Sequence, residues 1–174
     1  MSEKGSISST LTIVVGSLIV VAIMCIAPLI NTAKRADNIS QNSLQTALTN
    51  FANQACNKGA LYEEDFNKLI EEITGPNTYD IELEVYALGE NPSKKTSQVV
   101  SKKIGENVYT IYYTSQIKEE WKGEGKGKFS IKEGDQIHVY AQNTNTTMGT
   151  TLGSPTSSDI SNIIAEATAT CNKK

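Results

Sequence analysis

LTIVVGSLIVVAIMCIAPLI, residues 11–30, decides how the rest of the chain is interpreted, because it contains no charged residue. The uncharged run extends from Gly5 to Ala33. A helix needs about 20 apolar residues to cross the hydrocarbon layer of a membrane, and this run is long enough. A cleaved secretion signal usually has a core of about 7 to 15 residues, followed by a small-residue cut site. This core is longer and no clean site follows it before Asn31, so the sequence predicts a retained transmembrane segment.

The charges that flank this segment leave its orientation open. Lys34 and Arg35 follow it, whereas the amino terminus and Lys4, offset by Glu3, precede it. The positive-inside rule, applied literally, would keep the following residues in the cytoplasm. The difference is small, however, and a dedicated export route can override short flanks. The cysteines and the composition of the C-terminal residues favour an extracytoplasmic domain, which is our expectation.

A helical pattern continues beyond the apolar segment. Apolar residues spaced by four, three and four positions form one stripe, and polar residues fill the rest of the pattern. The stripe consists of Leu44, Leu48, Phe51 and Ala55. With Gly59 as the residue just past its end, we predict one helix over residues 7–58. Gly16 and Pro28 interrupt this pattern, and Pro28 predicts a kink or local unwinding.

Residues 59–174 contain alternating helix and strand signals. A second helix carries a buried stripe at Phe66, Leu69, Ile70 and Ile73 and stops at Gly75-Pro76. YDIELEVYAL, residues 79–88, alternates apolar and polar residues, which is typical of a strand with one wet face. Residues 107–115 predict a second strand, and residues 128–143 predict a hairpin about a turn at residues 133–135.

The end of the chain is less regular. Residues 89–103 and 143–158 are polar and are interpreted as connections. The last apolar segment fits both a helix and a strand, and the longer alternating match through Cys171 favours a strand. A long helix on one face of an antiparallel sheet of three to five strands makes the fold class α+β.

Composition excludes several classes of function. The chain has 174 residues, a formal net charge of -3 and Arg35 as its one arginine, so nothing indicates nucleic-acid binding. His138 is the single histidine and is interpreted as a sheet residue, since a metal site needs several ligands. No phosphate-binding glycine loop, nucleophile motif or paired buried carboxylates are recognisable. We expect no catalytic activity, no cofactor and no metal.

Charge is distributed unevenly along the chain. Residues 63–90 carry nine acidic residues against the single base Lys68, whereas residues 93–103 carry four lysines and no acid. The two segments are either separate solvated surfaces or complementary surfaces on neighbouring copies.

Three cysteines bear on the compartment. Cys25 lies in the apolar segment and is interpreted as a packing residue. Cys56 lies near the end of the long helix and Cys171 at the end of the last segment. In an oxidising space these two would form a disulfide that ties the C-terminus to the helix. Two free, buried thiols are the alternative.

The order of segments resembles the type IV pilin-like superfamily. A short polar leader (MSEKG) ends in Gly5, Ser6 begins an apolar helix with a distal proline, and an amphipathic continuation leads to a small α+β domain. KGSISS and the series NKGALYEEDFNKLIEEI to YDIELEVY look like TadE-type pseudopilins of Gram-positive bacteria. The implied division is a leader (1–5), a transmembrane assembly helix (6–33), an amphipathic continuation (34–58) and an α+β domain (59–174).

The resemblance implies a function and a set of partners. A prepilin-type peptidase would cut between Gly5 and Ser6, and the chain would polymerise with itself or related subunits on an assembly platform in the cell membrane. The product would be a thin surface filament or part of a secretion or conjugation apparatus. One feature departs from the family, since pilins usually carry a glutamate near the start of the apolar helix. This chain has no acid from Ser6 to Ala33, and Thr10 occupies about that place.

Helix packing gives an independent reason to expect assembly. Small residues let helices approach closely, and the candidates are Gly16, Ser17, Ala22 and Ala27. Pro28 would let the helix unwind as subunits leave the bilayer. The competing hypothesis is a single-pass anchored binding protein or assembly factor that does not polymerise.

Overall fold

Ten secondary-structure elements make up the part of the chain that the structure, a computed structural model, describes: residues 3–75, 77–89, 109–153 and 163–172. The elements are α1 (Glu3–Lys58), β1 (Ala60–Tyr62), α2 (Glu63–Ile73), β2 (Tyr79–Leu88), β3 (Tyr109–Tyr113), α3 (Thr114–Lys122), β4 (Lys128–Ser130), β5 (Gln136–Asn143), α4 (Met148–Gly153) and β6 (Ile164–Thr170). The α+β class, with a long N-terminal helix and a small antiparallel sheet, is confirmed.

The chain divides into two compact units. Met1–Asn38 and Thr146–Ser161 form the first, and Ile39–Asn145 and Asn162–Lys174 form the second, which we call the head. Helix α1 contributes residues to both. The boundaries predicted from composition, at residues 33 and 58, follow the membrane segment and the helix end rather than these contacts, and they stay predictions.

Helix α1 is continuous from Glu3 to Lys58 and passes through Pro28. The interruption expected at Gly16 and Pro28, as local unwinding, is therefore wrong for this structure, because a proline removes only one backbone hydrogen bond and several helical turns continue on each side. The kink expected at Pro28 stays a prediction. The helix ends where Gly59 adopts a φ of 66°, a conformation that L side chains rarely adopt. The Gly59 amide donates to the Cys56 carbonyl there at 3.2 Å.

The larger sheet of the head is antiparallel and has four strands, in the order β3-β2-β5-β6. Its inward side chains alternate with outward ones, as in β2, where Leu83, Val85 and Ala87 are buried. Val85 lies opposite Ile137, which lies opposite Ala169 on β6. This inner face belongs to the same hydrophobic core as the α1 stripe, whose members are all buried: Leu44, Leu48, Phe51 and Ala55. The strand assignment of the last segment is confirmed.

The predicted hairpin over residues 128–143 is wrong. Strand β4 pairs with β1 in a separate two-stranded sheet, with Leu61 opposite Phe129. The reason is that β5 lies between β2 and β6, so both of its edges are occupied. The buried Asp135 carboxylate fixes the turn between β4 and β5 by accepting from the backbone amides of Leu88 (2.8 Å) and Lys132 (2.7 Å).

Three smaller expectations are also corrected. Strand β3 ends at Tyr113, and α3 follows at once because Ile117 and Trp121, one turn apart, bury one face of a helix. The segment 143–158, interpreted as a connection, contains the short helix α4. Ile70, expected in the buried stripe of α2, is 38% exposed, whereas Phe66 and Leu69 are buried. The polar connection 89–103 lies almost wholly outside the described residues.

Candidate functional site

The first half of α1 exposes an apolar surface that no other described part of the chain covers. Its large side chains from Leu11 to Leu29 are 47% to 70% exposed. The most apolar window of 18 residues has a mean hydropathy of 2.9, and none of it is buried. At 1.5 Å per residue, Leu11 to Leu29 measures roughly 28 Å, close to the 30 Å of a hydrocarbon core. By length and composition this is a candidate single membrane span.

Hydroxyl groups in and next to this segment are satisfied by the helix itself. Ser17 donates to the Val14 carbonyl at 2.8 Å, and Thr32 donates to the Pro28 carbonyl at 2.9 Å. Such internal bonds matter in a bilayer, where water cannot replace them. Pro28 has no N–H to offer the Met24 carbonyl, which makes that turn the weakest place in the segment.

The small residues expected to mediate close packing do not all share one face. At 100° per residue, Gly16 and Ala27 lie about 20° apart around the helix, whereas Ser17 and Ala22 are rotated well away from them. All four are exposed. Apart from the adjoining residues and the backbone of the same helical turns, no atom lies within 4 Å of a Cβ placed on Gly16, so this position leaves open space for the close approach of a neighbouring molecule. A single close helix contact would therefore use Gly16 and Ala27.

The expected processing site lies at the start of α1. The backbone of Gly5 and Ser6 is helical. Cleavage between these residues stays a prediction.

The predicted disulfide is present in the head. Cys56 and Cys171 are joined across a sequence separation of 115 residues, with their Cα atoms 4.7 Å apart. Cys56 lies in the last turn of α1, and Cys171 follows β6. The Cys171 amide donates to the Asp135 carbonyl, and the Cys171 carbonyl accepts from the Gly134 amide, both at 2.8 Å. The bridge therefore joins the helix, the edge strand and the turn before β5.

Two glutamines that sequence reasoning missed bind the backbone of the edge strand β6. Gln45 donates to the Glu166 carbonyl at 2.7 Å, and Gln41 donates to the Ile164 carbonyl at 3.4 Å. The distance between the two glutamines along the helix matches the distance between the two carbonyls along the strand, because four helical residues rise about 6 Å and two strand residues about 6.8 Å. The signal in the sequence was a pair of long amides four residues apart beside the apolar stripe.

The outward face of the sheet is acidic. Its strands contain Asp80, Glu82, Glu84 and Glu166, but no lysine or arginine. His138 is half-buried in β5, as the alternation predicted. Its Nδ1 lies 3.5 Å from Glu84 Oε2 and its Nε2 lies 3.1 Å from Glu166 Oε1.

The two ring nitrogens of His138 therefore face different carboxylates and do not converge with them on one point. Next to His138 and these two carboxylates, burial and a hydrogen bond to Glu84 raise the pKa of Tyr86. The lysine-rich segment 93–103, the suggested complement of the acidic surface, lies outside the described residues.

Comparisons with known proteins return no relative. No protein-family model, no curated protein and no solved structure matches the chain.

Proposed function

We propose that this chain is a structural, non-catalytic subunit of the type IV pilin-like kind, which polymerises through its N-terminal helix into a cell-surface filament or a related secretion or conjugation apparatus. The observation that carries the proposal is that α1 contains both the exposed apolar segment and part of the head core. One unbroken helix supplies the bare apolar segment from Leu11 to Leu29 and, further along, the buried stripe of the head core from Leu44 to Ala55. An anchor that only tethers a domain has no need of this shared helix.

The buried residues in the second half of α1 explain how the helix that carries the apolar segment is also part of the head core. Leu44 and Leu48 are 2% and 0% exposed, so moving the second half of α1 would open the head core. A pull on the apolar segment is thereby transmitted to a folded domain rather than to a linker. This is the mechanical arrangement that a filament subunit requires.

The disulfide supports an extracytoplasmic head. Stable disulfides form in oxidising spaces and are rare in the cytosol. Lys34 and Arg35 favour the opposite orientation by the positive-inside rule. We give the disulfide more weight, because the charge difference across the segment is small and covalent closure requires two specific positions to meet.

The resemblance supplies the remaining parts of the proposal. A prepilin-type peptidase would remove residues 1–5 and leave Ser6 as the amino terminus. The partners are other copies or related subunits, together with an assembly platform in the membrane.

A single-pass anchored binding protein or assembly factor is the second candidate. It is favoured by the lack of an acid between Ser6 and Ala33, since pilins use such an acid to pair with a neighbour's amino terminus. In that case the chain would stay in the membrane.

Shearing separates the two candidates. A polymerising subunit appears in sheared surface material and sediments as filaments with Ser6 as its first residue by intact mass, whereas an anchored protein stays with the membranes. Replacing Gly16 with leucine keeps the segment apolar and places the new Cβ in open space, so insertion should persist while assembly fails. Val20→Leu, on the same face where a large side chain already stands, is the matched control. Normal filaments from Gly16→Leu would contradict helix packing at this site.

A further inference from the structure

The disulfide lies in the wall of an open cleft on the head. The cleft encloses about 560 Å³. One side is the end of α1 and the other is the turn before β5, with the two cysteines between them. The lining residues are Cys56, Asn57, Lys58, Gly59, Ile131, Lys132, Glu133, Cys171 and Asn172.

The two cysteines that line this cleft differ in how far they are exposed. Cys171 is 4% exposed and is held by backbone hydrogen bonds to Gly134 and Asp135. Cys56 is partly exposed and lies in the last turn of α1, next to the exposed Asn57. Thiol–disulfide exchange requires direct approach to a sulfur atom, so the more exposed cysteine is favoured in the reaction with an external partner.

We propose that this cleft is the docking site of a dithiol–disulfide oxidoreductase that closes the bridge on the already folded head, with Cys56 as the sulfur that reacts with the enzyme and Cys171 as the one that completes the bridge. The topology supports closure after folding. In the folded head, the pairing of β6, the last strand in the chain, with β5 brings Cys171 to Cys56 across a sequence separation of 115 residues. A bridge that closes last needs a reactive sulfur that is still accessible in the folded head.

The chemistry balances with the oxidised enzyme as the oxidant. The Cys56 thiolate attacks the enzyme disulfide, which forms a mixed disulfide and releases one enzyme thiolate. The Cys171 thiolate then attacks the Cys56 sulfur, which forms the internal bridge and releases the second enzyme thiolate. Two electrons pass from the two cysteines to the enzyme, and the two protons that the cysteines lose end on its dithiol.

Variants with a single thiol in the head test which of the two cysteines reacts with an external partner. The full chain in detergent micelles, with Cys25→Ala throughout, is prepared as Cys171→Ala or Cys56→Ala, and glutathione adducts formed from oxidised glutathione are followed by intact mass. We expect Cys56 to react at least about tenfold faster than Cys171 in the folded protein, and the two to react at similar rates in denaturant, because unfolding removes the difference in access. Equal native rates, or faster reaction at Cys171, would overturn the proposal.

A second arm tests docking at the cleft. With both cysteines present and reduced, Asn57→Trp should slow oxidation by oxidised protein disulfide isomerase about fivefold, while oxidation by the small oxidised glutathione changes less than about twofold. Asn53→Trp adds the same side chain to an exposed position of α1 that does not line the cleft, and it should change neither rate. Circular dichroism checks the fold of each variant. Equal oxidation of both variants by the isomerase would rule out docking here. The result does not depend on whether the chain polymerises.

Discussion

Removing the Cys56–Cys171 bridge should cost the head a large part of its stability. The bridge closes a loop over a sequence separation of 115 residues. Restricting the unfolded chain over that distance stabilises the folded state by about 5 kcal/mol at 25 °C in the chain-entropy model. A typical domain has only about 5 to 15 kcal/mol in total, so the loss decides whether the head stays folded. The double variant Cys56→Ser with Cys171→Ala is appropriate, because alanine avoids a buried hydroxyl at the less exposed position.

Denaturant unfolding of the full chain in detergent measures this loss. Trp121 is the only tryptophan and is 3% exposed, so its fluorescence reports on the head core. The unfolding midpoint should fall, and the slope should rise because the unbridged chain exposes more surface when it unfolds. Cys25→Ala, which removes the free cysteine of the apolar segment, should leave both unchanged. A loss below about 1 kcal/mol would refute the loop-entropy reasoning.

Three further predictions concern the head. Leu48→Ala, at a position with 0% exposure, should lower the free energy of unfolding by about 2 to 5 kcal/mol in the same denaturant assay. Trp121→Phe should lower it by about 1 to 3 kcal/mol, measured by circular dichroism, because the Leu61 carbonyl loses the indole donor at 3.1 Å. Tyr86 has a raised pKa in the folded state, chiefly through burial, so its stabilising effect is present below about pH 10 and is lost as the pH rises through the folded value. Tyr86→Phe should therefore flatten the loss of stability above about pH 10, and an unchanged alkaline slope would contradict this.

The helices and strands whose side chains are buried at regular intervals could be predicted from the local sequence pattern. The alternation from Tyr79 to Leu88 and the uncharged run before Lys34 each fix an element without knowledge of its neighbours. The disulfide followed from two helix and strand positions that meet on one seam. The pairing of β4 was not predictable in this way, because it depends on β2 and β6 having already occupied both edges of β5. Helix α3 was missed because Thr114 follows an aromatic strand without a turn.

The partners of Gln41 and Gln45 could not be identified from the sequence for a different reason. A polar residue beside an apolar stripe normally faces solvent, and only the placement of β6 against α1 gives the two amides their partners. The candidate span was predictable because a bilayer imposes one length and one composition. Its packing face was not, since small residues lie on several sides of the helix.

The two glutamines also affect how heads behave when many are crowded together. A free sheet edge is a template on which a strand of another molecule can add, and this is a common route to aggregation. The carbonyls of Ile164 and Glu166 on the β6 edge are already occupied by Gln41 and Gln45. Neighbouring heads held at high density along a membrane or a filament would therefore find two of the backbone acceptors at this edge already taken, which disfavours the addition of a further strand to β6.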